Sequence, residues 1–169
     1  EYFKCRKYIT GFTGSAGTAV IMQDMAGLWT DGRYFIQAAD QLEGTGITLF
    51  KMGEPEVPTV HEFLKKNLTQ GRCLGFDGRT VSAKEAAELE KMLDENGVSL
   101  SVDHDLAGDI WENRPVLSCE PVTELDIKWA GESRADKCAR IRKAMEKKGA
   151  DLFVLTSLDD IAWLLNIRG

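Results

Sequence analysis

Histidine is nearly absent from this sequence: two occur in 169 residues, His61 and His104. Any Ser-His-Asp or Cys-His mechanism would have to run through one of them. Cysteine is sparse as well. Cys5, Cys73, Cys119 and Cys138 are scattered, with no C-x-x-C pair and no His at a metal-like spacing, which argues against a zinc ribbon or a disulfide framework. With four prolines, 43% apolar and 28% charged residues, disorder, collagen and low complexity are excluded. Positive charge is not in excess: 21 basic residues face 27 acidic ones, a net of −6, so nucleic acid and anionic lipid are not expected partners. Long hydrophobic runs are missing too; the stretches 16–22 and 152–155 fall far short of the roughly 20 residues that span a bilayer. No basic-then-apolar leader stands before a cleavage site. The expectation is a cytoplasmic protein, no membrane partner, and reduced thiols packed as small hydrophobes.

What is present is a regular alternation of strand and helix signals. TAVIM (18–22) and LWT (28–30) flank a polar turn and read as an antiparallel pair. Asp31 then caps a helix whose Phe35, Ala38 and Leu42 recur at helical spacing. ITLFKM (47–52) is a strand, and GEPEVPT with its two prolines is an extended connector. Thr59 with Glu62, and Ser82 with Glu85, are capping-box signals for two further helices, between which CLGF (73–76) is a short strand. VSLSV (98–102) alternates as a strand. The pattern weakens over 104–130. Ser133 then caps a helix with Ala135, Cys138, Ile141 and Met145 on one face, closed by Gly149, and DLFVLT (151–156) reads as the next strand, before an apolar helical turn over 161–165. The class is α/β. The reading divides the chain into a first domain over 1–103, a connector over 104–130 and the start of a second domain over 131–169.

Candidate chemistry is thin. Gly11, Gly14 and Gly17 stand three apart, without the Lys of a phosphate loop, and lead into a strand, so they read as turn glycines. His104, Asp105 and Asp109 are a weak mixed-ligand set for a metal. Lys137, Arg140, Lys143 and Lys147 form a basic stripe, read as a solvated helix face. Arg33 falls where the helix dipole disfavours a cation, which calls for a specific carboxylate or carbonyl partner. YITGFTG (8–14) and WLLNIRG (163–169) also echo one another: aromatic, two apolar or β-branched positions, turn former, apolar, polar, glycine.

Beyond these residue-level readings, WTDGRYFIQAADQL (29–42) and YITGFTGSAGTAVI (8–21) resemble the amino-terminal, creatinase-type domain of Xaa-Pro aminopeptidases. MGEPEVPTVHEFL (52–64), DLAGDIWENRP (105–115), WAGESRADK (129–137) and LTSLDDIAWLLNIRG (155–169) resemble successive segments of the three-domain cytosolic members, in the family's order. The resemblance implies a creatinase/prolidase N-terminal-domain-like mixed sheet flanked by helices, with the beginning of a second similar domain. It implies a parent enzyme that hydrolyses the N-terminal Xaa-Pro bond of peptides with two divalent metal ions, usually manganese, held in a carboxy-terminal domain by an Asp, Asp, His, Glu, Glu set that this chain does not carry. The segment itself is then expected to hold no metal, no cofactor and no catalytic residue, to be inactive alone, and to shape the substrate channel and the contacts of a homodimer. Trp29, Arg33, Asn166 and Arg168 are its candidates for lining that channel or an interface. In this reading the first domain lacks an opening helix and strand, a place that 133–148 and 151–156 could fill. The alternatives are a stand-alone binding or scaffold module of the same fold, distinguished by the absence of a downstream metal-binding domain, and a small independent enzyme using His61 or His104.

Overall fold

The computed structural model describes all 169 residues, which divide into two compact units, Glu1–Leu117 and Ser118–Gly169. The dividing point lies inside the segment read as a connector. Part of that segment is folded: α5 (Leu106–Ile110) and the residues after it belong to the first unit.

The first unit is organised around β2 (Ala26–Thr30), the centre of a three-stranded mixed sheet. β1 (Thr18–Ile21) pairs with it antiparallel, Thr18 opposite Trp29. β3 (Ile47–Lys51) pairs with it in parallel, Leu28 opposite Leu49 and Trp29 opposite Phe50. A parallel neighbour requires a crossover, supplied by one tight helical turn (Gly32–Tyr34) and α2 (Phe35–Leu42). Side chains alternate along a strand, so β2 feeds two faces. Leu28 joins Phe12, Ala38 and Leu42 on one, with Ala19 and Leu49 packed against them. Trp29, on the other, stacks on Phe50 at 3.9 Å and meets Phe63 edge-on at 4.9 Å. The close aromatic stacking accounts for Gly27 in a central strand: a Cβ there would lie 2.7 Å from the Phe50 ring and 2.8 Å from the Trp29 ring.

Phe63 comes from α3 (Val60–Asn67), whose Thr59 and Glu62 form a complete capping box. A two-stranded parallel ladder of β4 (Cys73–Gly75) and β5 (Ser99–Ser101) follows, bridged by α4 (Ala83–Asp94). Ser82 caps α4 by accepting the Glu85 amide N–H, and Leu89 and Leu93 are its buried positions. α1 (Cys5–Thr10), which no sequence signal announced, opens the unit and ends at Gly11, φ +74°.

The second unit contains β6 (Thr123–Glu124), α6 (Ile127–Ala130), α7 (Arg134–Lys148), α8 (Leu158–Leu165) and β7 (Ile167–Arg168). β6 and β7 pair antiparallel. Ser133 caps α7 and Gly149 closes it in the left-handed conformation, as its sequence requires. Two expectations fail in this unit. DLFVLT (151–156) forms no strand and pairs with nothing, and Leu152, Phe153 and Val154 are exposed; a strand signal needs a ladder to act on. Lys137, expected on a solvated face, is buried. No disulfide joins the cysteines, and Cys73 and Cys119 are exposed rather than packed. No helix is long and apolar enough to cross a membrane.

Candidate functional site

Trp29 and Arg33 flank a single turn at the end of β2. Trp29 is fully buried, and its indole N–H donates to the Pro58 carbonyl at 2.8 Å. Thr30 next to it donates its hydroxyl to the Ala16 carbonyl at 2.8 Å, tying the strand to the glycine-rich loop. Asp31 caps the turn by accepting the Arg33 amide N–H, and its two carboxylate oxygens take Nε and a terminal nitrogen of the Arg33 guanidinium, both at 2.8 Å. The partner demanded by the placement of Arg33 is therefore its own cap. The fork holds the Asp31 carboxyl down to about 2 and pushes Arg33 above its ordinary value. Arg33 stays exposed on its outer side.

A second Asp-Gly-Arg turn occurs at residues 77–79, where Arg79 grips Asp77 in the same way. Here the guanidinium reaches further, to Asp105 at 2.6 Å and over the rings of Tyr2 and Phe3. Arg114 closes the cluster. It ion-pairs with Asp105, donates to the Tyr2 carbonyl at 2.9 Å, contacts the Cys5 thiol, and stacks on the Tyr2 ring at 3.7 Å. Hydrogen bonds from Arg79 and Arg114 hold the Asp77 and Asp105 carboxyls below the usual carboxylate range. Nearby, Tyr8 stacks on Trp111 at 4.4 Å and donates its hydroxyl to the Ile110 carbonyl. The sequence reading missed this clamp. The repeated D-G-R of 31–33 and 77–79 was the available signal, but Tyr2, Asp105 and Arg114 meet it only through the fold. Asp105 is thereby committed to two arginines, away from the His104 and Asp109 with which it had been grouped.

Asn166 and Arg168 lie together in the second unit. Asn166 is buried and ends α8 in the left-handed region, φ +52°, a conformation uncommon for any residue but glycine and asparagine. Its side chain is held from both ends: the Lys137 ammonium donates to Oδ1 at 2.7 Å, and Nδ2 donates to the Glu132 carbonyl at 2.9 Å. Lys137 also donates to the Trp163 carbonyl at 2.9 Å, one of the helix-end acceptors left without an intrahelical partner. Arg168 is exposed and donates to the Ile167 carbonyl at 2.6 Å, with no carboxylate in ion-pair range. In the two echoed segments Gly11 and Asn166 hold the same place, and both are left-handed helix ends.

An open, largely apolar groove of about 430 Å³ lies between α7 and α8, bordered by Ile141, Met145, Phe153 and Trp163, with Lys148 and Asp160 as its charged edges. No group of three or more His, Cys, Asp or Glu side chains is gathered so as to hold a metal ion. The donor set of this chain does not fit a metal pair.

Two matches to creatinase/prolidase N-terminal domain families cover residues 4–108 and 113–169, one for most of each unit. A probable Xaa-Pro aminopeptidase P of Laccaria bicolor is 45% identical over 168 residues, 98% of this chain and 26% of that protein. Aminopeptidase P2 of Arabidopsis thaliana is 40% identical over 172 residues. Among solved structures, the X-prolyl aminopeptidase of Caenorhabditis elegans, a cytosolic enzyme with a di-nuclear active site, superposes with a TM-score of 0.82 at 37% identity, over 99% of this chain and 27% of that one. The chain thus spans about a quarter of the length of the relatives it matches.

Proposed function

Since the chain belongs to the creatinase/prolidase N-terminal domain family, we propose that it is the non-catalytic amino-terminal portion of a metal-dependent Xaa-Pro aminopeptidase. In this reading the whole protein hydrolyses the bond between a peptide's first residue and a following proline, in the cytoplasm and as a homodimer. Its two divalent ions, taken to be manganese, are held outside this segment. The observation that carries the reading is a likeness running through both units without a break, to proteins named for that activity.

The segment's part is to shape the channel by which a peptide approaches and to supply subunit contacts. Of the four candidates, Arg33 and Arg168 present exposed guanidinium groups suited to a peptide carbonyl or carboxylate. Trp29 and Asn166 act from behind them, fixing the turns from which those arginines project. The test uses two preparations, residues 1–169 and the full-length protein, each with the tripeptide Ala-Pro-Ala and added manganese. Hydrolysis is expected from the full-length protein alone. Cleavage by residues 1–169, or none by the full-length protein, overturns the proposal.

A further inference from the structure

Lys137 is the only charged residue among the buried side chains, 2% exposed, and it has no carboxylate partner. A methionine of similar length would fill the same space without the cost of desolvating an ammonium. What the ammonium adds is direction. Lysine can only donate, so the amide of Asn166 must turn its oxygen toward Lys137, which leaves Nδ2 for the Glu132 carbonyl. With the amide pinned, the backbone of Asn166 stays in its left-handed turn, and its carbonyl accepts the Leu125 N–H at 2.7 Å. That bond starts the short β6–β7 ladder, in which Arg168 stands opposite Thr123. Arg168 leaves the ladder exposed and without an acidic partner.

We infer that Lys137 is a positioning residue for substrate binding: through Asn166 it fixes the turn that aims the Arg168 guanidinium at the peptide. The inference rests on the proposed placement of Arg168 in the substrate channel. It assigns to a buried lysine an effect on KM rather than on the chemical step.

The test measures kcat and KM of the full-length protein on Ala-Pro-Ala, with thermal melting alongside, for R168A, K137M, K137R and the K137M/R168A pair. K137M is expected to raise KM about tenfold with kcat changed less than about twofold, the signature of lost binding. K137R, which can still donate, recovers part of the loss, and the double variant is no worse than R168A alone, because both remove one interaction. A lowered melting temperature with unchanged KM in K137M, or independent multiplying effects in the pair, overturns the inference while leaving Arg168 its role. An unchanged KM in R168A overturns the channel placement and this inference together, and loss of hydrolysis by the unaltered full-length protein removes the function as a whole. If K137M fails to fold, N166G takes its place, since glycine permits the left-handed turn without strain but has no amide for Lys137 to pin it by. It should reproduce the rise in KM, and a KM equal to that of the unaltered protein counts against the inference.

Discussion

The two units solve the same local problem with different materials. Each has a helix that ends in a left-handed residue at the fourth position of the echoed segment, Gly11 in one and Asn166 in the other. In the first unit the left-handed residue is a glycine with no side chain to anchor, the Thr10 hydroxyl accepting the Phe12 N–H across it, and the chain goes on into a sheet with apolar side chains on both faces. In the second, the turn is held by side-chain hydrogen bonds, and the two side chains that are buried, Lys137 and Asn166, are both polar. Leu158, Phe153 and Val154 meanwhile stay in contact with solvent. Within these residues the helices of the second unit are fixed by caps and a few directed bonds, and its apolar surface is open.

The sharpest way to break this comparison is amide hydrogen exchange. The amides of Leu28 and Trp29 in the central strand should exchange more than about 10³-fold slower than those of 152–155, which have no ladder; similar rates would erase the distinction. Next, Trp29→Ala should cost about 3–5 kcal/mol, as expected for emptying a packed aromatic site, against less than about 0.5 kcal/mol for Leu158→Ala, which is 82% exposed. Urea denaturation of both variants measures the gap.

Acid should act unequally on the two units, with a smaller effect. The Asp31, Asp77 and Asp105 carboxyls all lie below their ordinary values because arginines bond to their charged forms. Their stabilisation is complete above the unfolded carboxylate value of about 3.9 and is lost as pH falls through the lower folded values. The first unit's arginine clamp should therefore loosen as pH falls below about 4. The Lys137–Asn166 clamp, which contains no carboxylate, should not respond in that window. Backbone NMR shifts near Tyr2 and near Asn166, followed from pH 6 to 2, decide this, and the double variant D77N/D105N should flatten the first response. The smallest change is expected for Ser82→Ala, about 1 kcal/mol from a lost helix cap, measured by thermal melting.

How much of this could be read from the sequence follows the range of each interaction. β1, β2, α3 and α4 carry their signals within a few residues: a β-branched run, a Thr-x-x-Glu cap, a leucine stripe. They were legible. The 151–156 segment has as good a strand composition as 18–22, yet strand propensity expresses packing against a neighbour, and no neighbouring strand pairs with it. Lys137 sits on what the helical period marks as a polar stripe, and nothing local shows that α8 ends against it. The Arg79–Asp105–Arg114 clamp draws on residues far apart in the chain, which only the fold brings together. Of the site candidates, the need of Arg33 for a carboxylate partner was visible from the dipole argument, whereas the double anchoring of Asn166 was not.

The stacked burial of Trp29 has a practical consequence. Each unit carries two indoles: Trp29, sealed between Phe50 and Phe63, with half-buried Trp111 in the first, and Trp129 and Trp163, exposed by 75% and 46%, in the second. The intrinsic fluorescence should therefore contain a blue-shifted, quencher-resistant part from Trp29 and a red-shifted, iodide-accessible part from Trp129 and Trp163. Losing the first while the second is unchanged would mark the opening of the central sheet, without any label being attached.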